Sequence, residues 1–264
     1  MTRSNVQLGG QELKLDADGD TSITVDTDDQ IDFKTGGSDR VTIGSDGNVF
    51  VGTTSDIAPA NGTNLYIEDG TISRLGFSKT GSNARKFSIG NGGTYLNIYD
   101  ETLDAEVFKI DANGQITTPK QPGWFATAND NTVLANGGFT QPLLKNELWD
   151  NNSDYDAASS GTHRFTAPVA GKYLVTAGIG IVSNGLTSSR LLISIWKNDY
   201  LHQYVGSNYS AGAQPYTTNG STLVDLSAND YLRMLIQVDG GNKNTDFRTD
   251  QQYLATFFGG YLLG

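Results

Sequence analysis

Few side chains in this sequence are of a type that does covalent or metal chemistry, and their spacing does not suit it. His163 and His202 are the only histidines, there is no cysteine, and no His-x-x-x-His spacing occurs, so a zinc site lacks its ligand set. No Gly-x-Ser-x-Gly elbow is present to expose a serine nucleophile. Glycoside hydrolysis needs two apposed carboxylates, yet Glu is confined to Glu12, Glu68, Glu101, Glu106 and Glu147, and the more numerous Asp residues cluster in turn-like sequence. A polysaccharide-degrading site whose carboxylates come from different chains is the enzymatic alternative, but the sequence has no long parallel β-helix repeat to carry it. Asp16-Ala17-Asp18-Gly19-Asp20 begins like a calcium loop. Thr27 stands where an EF-hand needs its twelfth-position Glu, which excludes that motif and leaves an Asp-rich turn. The expectation is no catalytic residue, no metal site and no cofactor, with calcium open and no residues to assign to it.

The elements that would position any site are strands. Glycine occurs 32 times, with abundant Asp, Asn, Ser and Thr, which suits short strands joined by many turns. No stretch keeps a helical apolar period for three turns, whereas strict alternation recurs. The formal charge of −11 and the lack of a basic stripe argue against nucleic acid as a partner. No apolar run approaches the roughly 20 residues of a membrane helix, so no membrane insertion is expected. The polar start at Met1-Thr2-Arg3-Ser4-Asn5 does not read as a secretory signal, and the absence of cysteine fits assembly in a reducing cytoplasm.

From Asp16 to residue 58, the short strands Ile23-Thr24-Val25, Ile31-Asp32-Phe33, Val41-Thr42-Ile43 and Val49-Phe50-Val51 alternate with Asp/Gly/Asn turns. Residues 59–118 repeat the pattern in Leu65–Ile67, Leu75–Phe77, Phe87–Ile89, Tyr95–Ile98 and Val107–Ile110. Each strand is too short, and its apolar face too narrow, for a core within one chain. The faces suit stacking with copies from other chains in a shaft-like β-prism, and a small monomeric meander is the alternative. The segments Arg85–Asn91 and Ile110–Gly114 resemble repeats of bacteriophage tail fibres. Residues 1–15 are then an attachment segment, and Pro119-Lys120-Gln121-Pro122-Gly123 is a stiff linker.

Beyond it, all three tryptophans (Trp124, Trp149, Trp196) accompany longer apolar strands, so a true core is expected over 124–264. Strands are expected at Trp124–Ala128, Phe165–Ala167, Tyr173–Val182, Leu191–Lys197, Leu201–Gly206, Ser221–Leu226, Tyr231–Val238 and Tyr253–Leu263, an all-β sandwich. Four motifs occur in order: Tyr155-Asp156 before Phe165-x5-Gly171-x-Tyr173; Ile193 to Asn198; Leu226-Ser227-Ala228-Asn229-Asp230; and Thr256 to Leu263. Together they resemble the complement 1q globular head, which shares the tumour-necrosis-factor jelly roll. Asn229 departs from the usual Gly and Val175 from a common aromatic; Asn tolerates a positive φ, so the turn survives. The resemblance implies a ten-stranded-type jelly roll and a homotrimer. With a shaft-like N-terminal half it implies a virion or appendage fibre, docked on tail or capsid proteins by its N-terminus.

Alternate turns of such a sandwich share an end. The Asn198–Tyr200 and Ser227–Asp230 turns fall at one end, and the loops 183–189, 208–218 and 239–250 at the other. The second group is rich in Asn, Ser, Gly and Tyr, a composition that gives adaptable recognition surfaces. Asn184, Ser188, Arg190, Asn208, Tyr209, Tyr216, Asn242, Lys243, Asn244 and Arg248 are therefore the candidate receptor-binding residues, for a host-surface ligand such as a glycan. The competing reading is a capsid or tail decoration protein in which these loops are simply solvated.

Overall fold

The computed structural model describes residues 12–25, 27–45, 47–52, 65–67, 71–158, 162–182, 189–210, 216–245 and 255–264. The chain forms two compact units, Met1–Pro119 and Lys120–Gly264. Among the described residues all regular structure is strand.

In the first unit β1 (Leu13–Lys14), β2 (Ser22–Thr24), β3 (Ile31–Thr35), β4 (Ser38–Ile43) and β5 (Val49–Val51) form an antiparallel meander. A sixth strand, β6 (Leu65–Ile67), is parallel to β5. The register lines up Leu13, Ile23, Phe33, Val41 and Val51 in one row across the sheet. Ile31, Ile43 and Val49 form the next row on the same face. This apolar face is open: Leu13, Ile31 and Phe33 are exposed and the others only half-buried. The buried face is mostly polar, with Ser22, Thr24, Asp32 and Thr42 beside Phe50. There Thr42 Oγ1 donates to Asp32 Oδ1 at 2.6 Å and Gln30 Nε2 to Asp32 Oδ2 at 2.8 Å.

A second meander follows: β7 (Ser73–Lys79), β8 (Arg85–Asn91), β9 (Leu96–Asp100), β10 (Ala105–Ile110) and β11 (Ile116–Thr117). Leu75, Ile89, Ile98 and Phe108 make one row, with Leu96, Ile110 and Ile116 in the next. This face is open as well. The opposite face carries a polar network. Arg74 pairs with Glu101 at 2.9 Å and lies 4.5 Å from the Tyr99 ring centroid, Ser88 donates to Glu101 at 2.6 Å, and Asn97 donates to Glu106 at 3.0 Å. Both sheets thus carry hydrogen-bonded polar groups on one side, though Asp39 Oδ1, Arg74 Nε and Asn97 Oδ1 are buried without a hydrogen-bond partner. Among the described residues the apolar side of each is only partly covered.

The second unit closes both layers of its core. Its strands are β12 (Gly123–Thr127), β13 (Val133–Leu134), β14 (Phe139–Thr140), β15 (Asn146–Asp150), β16 (Phe165–Thr166) and β17 (Gly171–Val182). They continue with β18 (Ser189–Lys197), β19 (Tyr200–Ser210), β20 (Tyr216–Leu226), β21 (Tyr231–Val238), β22 (Lys243–Thr245) and β23 (Phe257–Leu262). One layer runs β15–β12–β23–β17–β20; the other has β14 and β16 on β21, then β18 and β19. The last strand inserts between the first and β17, and β21 between β16 and β18. That wrapped strand order is a jelly roll. The chain is all-β with a jelly-roll second unit, as its sequence suggests. The short β13 and β22 extend the first layer past the end of β17.

The core gathers on the run that the sequence marks as a corner. Trp124 stacks on Phe165 with ring centroids 3.8 Å apart, Phe258 meets Trp124 edge-on at 5.4 Å, and Tyr173 lies 5.4 Å from Phe165. All four are buried. Tyr173 Oη donates to the Val169 carbonyl at 2.8 Å and ties the corner shut, and Tyr155 bridges to Phe165. Val175, in place of an aromatic, is fully buried in the same core.

Two turns meet where the chain enters this unit. Asn198 and Asp199 have φ of 49° and 66°, and Asn229 has φ of 71°, so Asn takes the left-handed position as expected. Asn198 Nδ2 donates to Asp230 Oδ1 at 2.6 Å, Lys197 Nζ lies 2.9 Å from Oδ2, and the Ser227 amide donates at 2.7 Å. The Asn198 bond, then Lys197 and the Ser227 amide, hold the Asp230 carboxyl at about 2. A carboxyl depressed on folding stabilises the fold above its unfolded value and loses that contribution as pH falls through its folded one. Wild-type protein should therefore lose stability between about pH 4 and pH 2, and Asp230→Asn should flatten that part of a urea-denaturation pH series. Phe165→Ala should cost about 3–5 kcal/mol in the same assay, because it empties the stack on Trp124.

Candidate functional site

The candidate residues that the structure describes do gather at one end of the jelly roll, opposite the entry of Lys120. The ladders pair Arg190 with Tyr209, Leu191 with Asn208, Ile181 with Tyr216 and Val182 with Asn244. Asn184, Ser188 and Arg248 lie outside the described residues, as does the side chain of Tyr216.

Several of these positions differ from the expected loops. Asn208 and Tyr209 belong to β19 and Tyr216 to β20, because each strand runs further than its apolar alternation suggests. Gly206 and Gly220 allow this extension. A Cβ on Gly220 would collide with the Val205 carbonyl, so the two layers approach closely at this edge. Lys243 and Asn244 belong to β22. Lys243 is a correction, since its side chain is only 2% exposed and points inward. Its Nζ donates to the carbonyls of Gly240 and Gly241, both at 3.1 Å, so the ammonium supports the turn from beneath rather than facing a ligand. Burial lowers its pKa.

The remaining positions are accessible but partly engaged. Arg190 pairs with Asp239 at 2.8 Å, and Asn208 Nδ2 donates to the Thr217 carbonyl at 3.2 Å. Asn242 Oδ1 accepts the Asn136 amide at 3.0 Å while Asn136 Oδ1 accepts the Gly241 amide at 3.0 Å, a reciprocal clasp between two loops. Tyr209, 70% exposed, is a large side chain at this end, paired across the ladder with Arg190.

A second surface lies on the outward side of the β15–β12–β23–β17–β20 layer. Phe125 stacks towards Phe257 at 5.5 Å and Trp149 at 6.4 Å. Each ring lies flat because its neighbour strand offers no side chain: a Cβ on Gly259 would strike Phe125, and one on Gly178 would strike Phe257. Leu174 and Leu223, paired across β17 and β20, extend the apolar surface and are exposed. These residues carry no obvious sequence signal, since their strands also alternate inward apolar residues.

At the entry end, a cavity of about 500 Å3 opens among Ser153, Asp154, Asp156, Arg164, Thr166 and Asn229. Asp154 Oδ2 is buried without a hydrogen-bond partner, and burial followed by the Asp150 charge raises its pKa. Arg164 lies 4.4 Å from the Tyr231 ring centroid. The sequence marks this run only as a structural corner. Its lining is mostly polar.

Of the remaining candidates, His163 is buried in the second unit, where burial lowers its pKa, and His202 is exposed on β19. Among the described residues, Asp16, Asp18 and Asp20 are the group close enough to share a metal ion, and all three are exposed. Asp16 Oδ1 accepts the amides of Gly19 at 3.0 Å and Thr21 at 3.2 Å, which accounts for its place as a turn residue.

No protein-family profile matches the sequence, and no curated protein matches it. Solved structures do resemble it in fold. The globular domain of zebrafish complement 1qA matches with 14% identity and a TM-score of 0.38, over 55% of this chain and 98% of that one. Eiger TNF from S. frugiperda matches with 12% identity and a TM-score of 0.39, over 54% and 91%. Murine APRIL at pH 8.5 matches with 12% identity and a TM-score of 0.40, over 55% and 100%. The jelly-roll assignment rests on the strand pairing described above.

Lys243→Ala should lower stability by about 1–3 kcal/mol, because it strips a buried side chain and two carbonyl partners. Arg190→Ala should stay within about 0.5 kcal/mol, as an exposed ion pair contributes little. Chemical denaturation of the two variants checks both.

Proposed function

We propose that this chain is one protomer of a non-enzymatic homotrimeric fibre of the bacteriophage tail-fibre type, whose jelly-roll head recognises a host-surface receptor such as a glycan. The observation that carries the reading is a head with a complete internal core that still lays a flat aromatic surface, Trp149–Phe125–Phe257, on the outside of one layer. Monomeric proteins rarely leave such surfaces uncovered, and copies of the same chain are the economical cover. The exposed end, with Tyr209 paired across the ladder with Arg190, supplies an aromatic contact with an adaptable polar neighbour. In this reading the N-terminal segment joins the chain to a virion, and the protein is carried on the particle surface.

One observation favours a second reading, a capsid or tail decoration protein without a ligand. Arg190, Asn208 and Asn242 already bond to their own chain. Adsorption separates the two. Soluble protein should compete with particles for host cells, and Tyr209→Ala combined with Arg190→Ala should abolish competition with mass unchanged. Competition by neither protein would favour decoration. Solution mass should be about three times 28.3 kDa, and a stable monomer would overturn the fibre reading.

A further inference from the structure

We infer that the open faces of the two N-terminal sheets are closed by the same faces of other copies of this chain, so that the core of this unit lies between chains. The inference rests on the self-association reading and adds where the second contact is made. A folded domain buries its apolar rows and leaves polar ones to solvent. Here the order is reversed. In the first sheet Asp32, Thr42, Ser22 and Thr24 are buried while Leu13, Ile31 and Phe33 are exposed. In the second, Leu75, Phe77, Ile89 and Leu96 are all more than 40% exposed, while the other face is occupied by the Arg74–Glu101 and Asn97–Glu106 contacts.

The occupant follows from area and chemistry. Five strands about 4.8 Å apart, averaging about four residues in the first sheet and about five in the second at about 3.4 Å each, give faces of roughly 300 and roughly 400 Å2. A stable specific interface needs about 800 Å2 per partner, which two such faces together approach and one alone does not. The central rows, Leu13–Ile23–Phe33–Val41–Val51 and Leu75–Ile89–Ile98–Phe108, contain no charge and no hydrogen-bonding side chain. Such a surface is complemented by another of its own kind. The chain supplies two of them, and among the described residues neither is fully covered.

The absence of native cysteine makes a clean test possible. Ile89→Cys and Phe33→Cys place single thiols at the middle of each open face, and Lys86→Cys places one on the opposite face of the second sheet. Full-length variants are treated with a bis-maleimide spanning only the roughly 10 Å between packed sheets. Expected are inter-chain covalent species from Ile89→Cys and Phe33→Cys and none from Lys86→Cys. Hydrogen exchange of the unsubstituted chain provides a second measure, with β3 and β8 losing protection on dilution. An oligomer in which neither apolar-face thiol cross-links between chains would overturn the inference and leave the self-association reading standing. So would a Phe33→Cys/Ile89→Cys chain that closes on itself. A monomeric mass at all concentrations overturns both.

Discussion

Everything in the second unit depends on the stack of Trp124 on Phe165. Trp124 belongs to the first strand of the unit, and Phe165 opens the corner that leads into the long β17. Their contact joins the two layers at the point where Phe258, from the last strand, and Tyr173 also converge. Stacked and edge-on aromatics contribute beyond the area that they bury. A chain that makes this contact brings its first, middle and last strands together, and the β23 insertion between β12 and β17 follows from it. The entry-end turns, clamped by Asp230, fix which loops share an end. The opposite end is then defined by exclusion, and its accessible side chains are placed by the ladders rather than by free loops.

The corner run was legible in the sequence because its aromatics must be large, its Pro and Gly must turn, and Asn229 must tolerate a positive φ. Such demands leave marks on residue types. The short β13, β14 and β22 leave almost none, since two or three residues carry no period, and their pairing is imposed by the sandwich they join. Lys243 shows the same limit at the candidate site. A lysine among Asn and Gly reads as exposed, but β22 alternates, and the position between Asn242 and Asn244 is the inward one. Its four-carbon stem fits the interior while its ammonium caps two carbonyls.

Glycines such as Gly178 and Gly259 were equally opaque. In a sequence they signal turns or weak strands; here they are the seats of Phe257 and Phe125. The same residue type that flattens the outward aromatic surface lets β19 and β20 approach at Gly220. Which use a strand glycine serves depends on what the neighbouring strand places opposite it, and that is a property of register rather than of local sequence.

The contrast between the two units turns on what alternation can tell. Period-2 patterning separates the faces of every strand in this chain, but it does not say which face is covered. In the second unit, strands of eight to twelve residues in β17 through β21 build two wide layers, and their apolar faces close on each other. In the first, strands of two to seven residues build narrow sheets whose polar faces carry hydrogen bonds and ion pairs within the chain. The apolar rows are no less regular there, and regularity without a cover is itself informative. Apolar rows in register across five strands of one sheet and four of the other are rarely left facing only water. Their presence on both sheets argues that the unit's stability is a property of an assembly, and that the head's internal core is what one chain can complete alone.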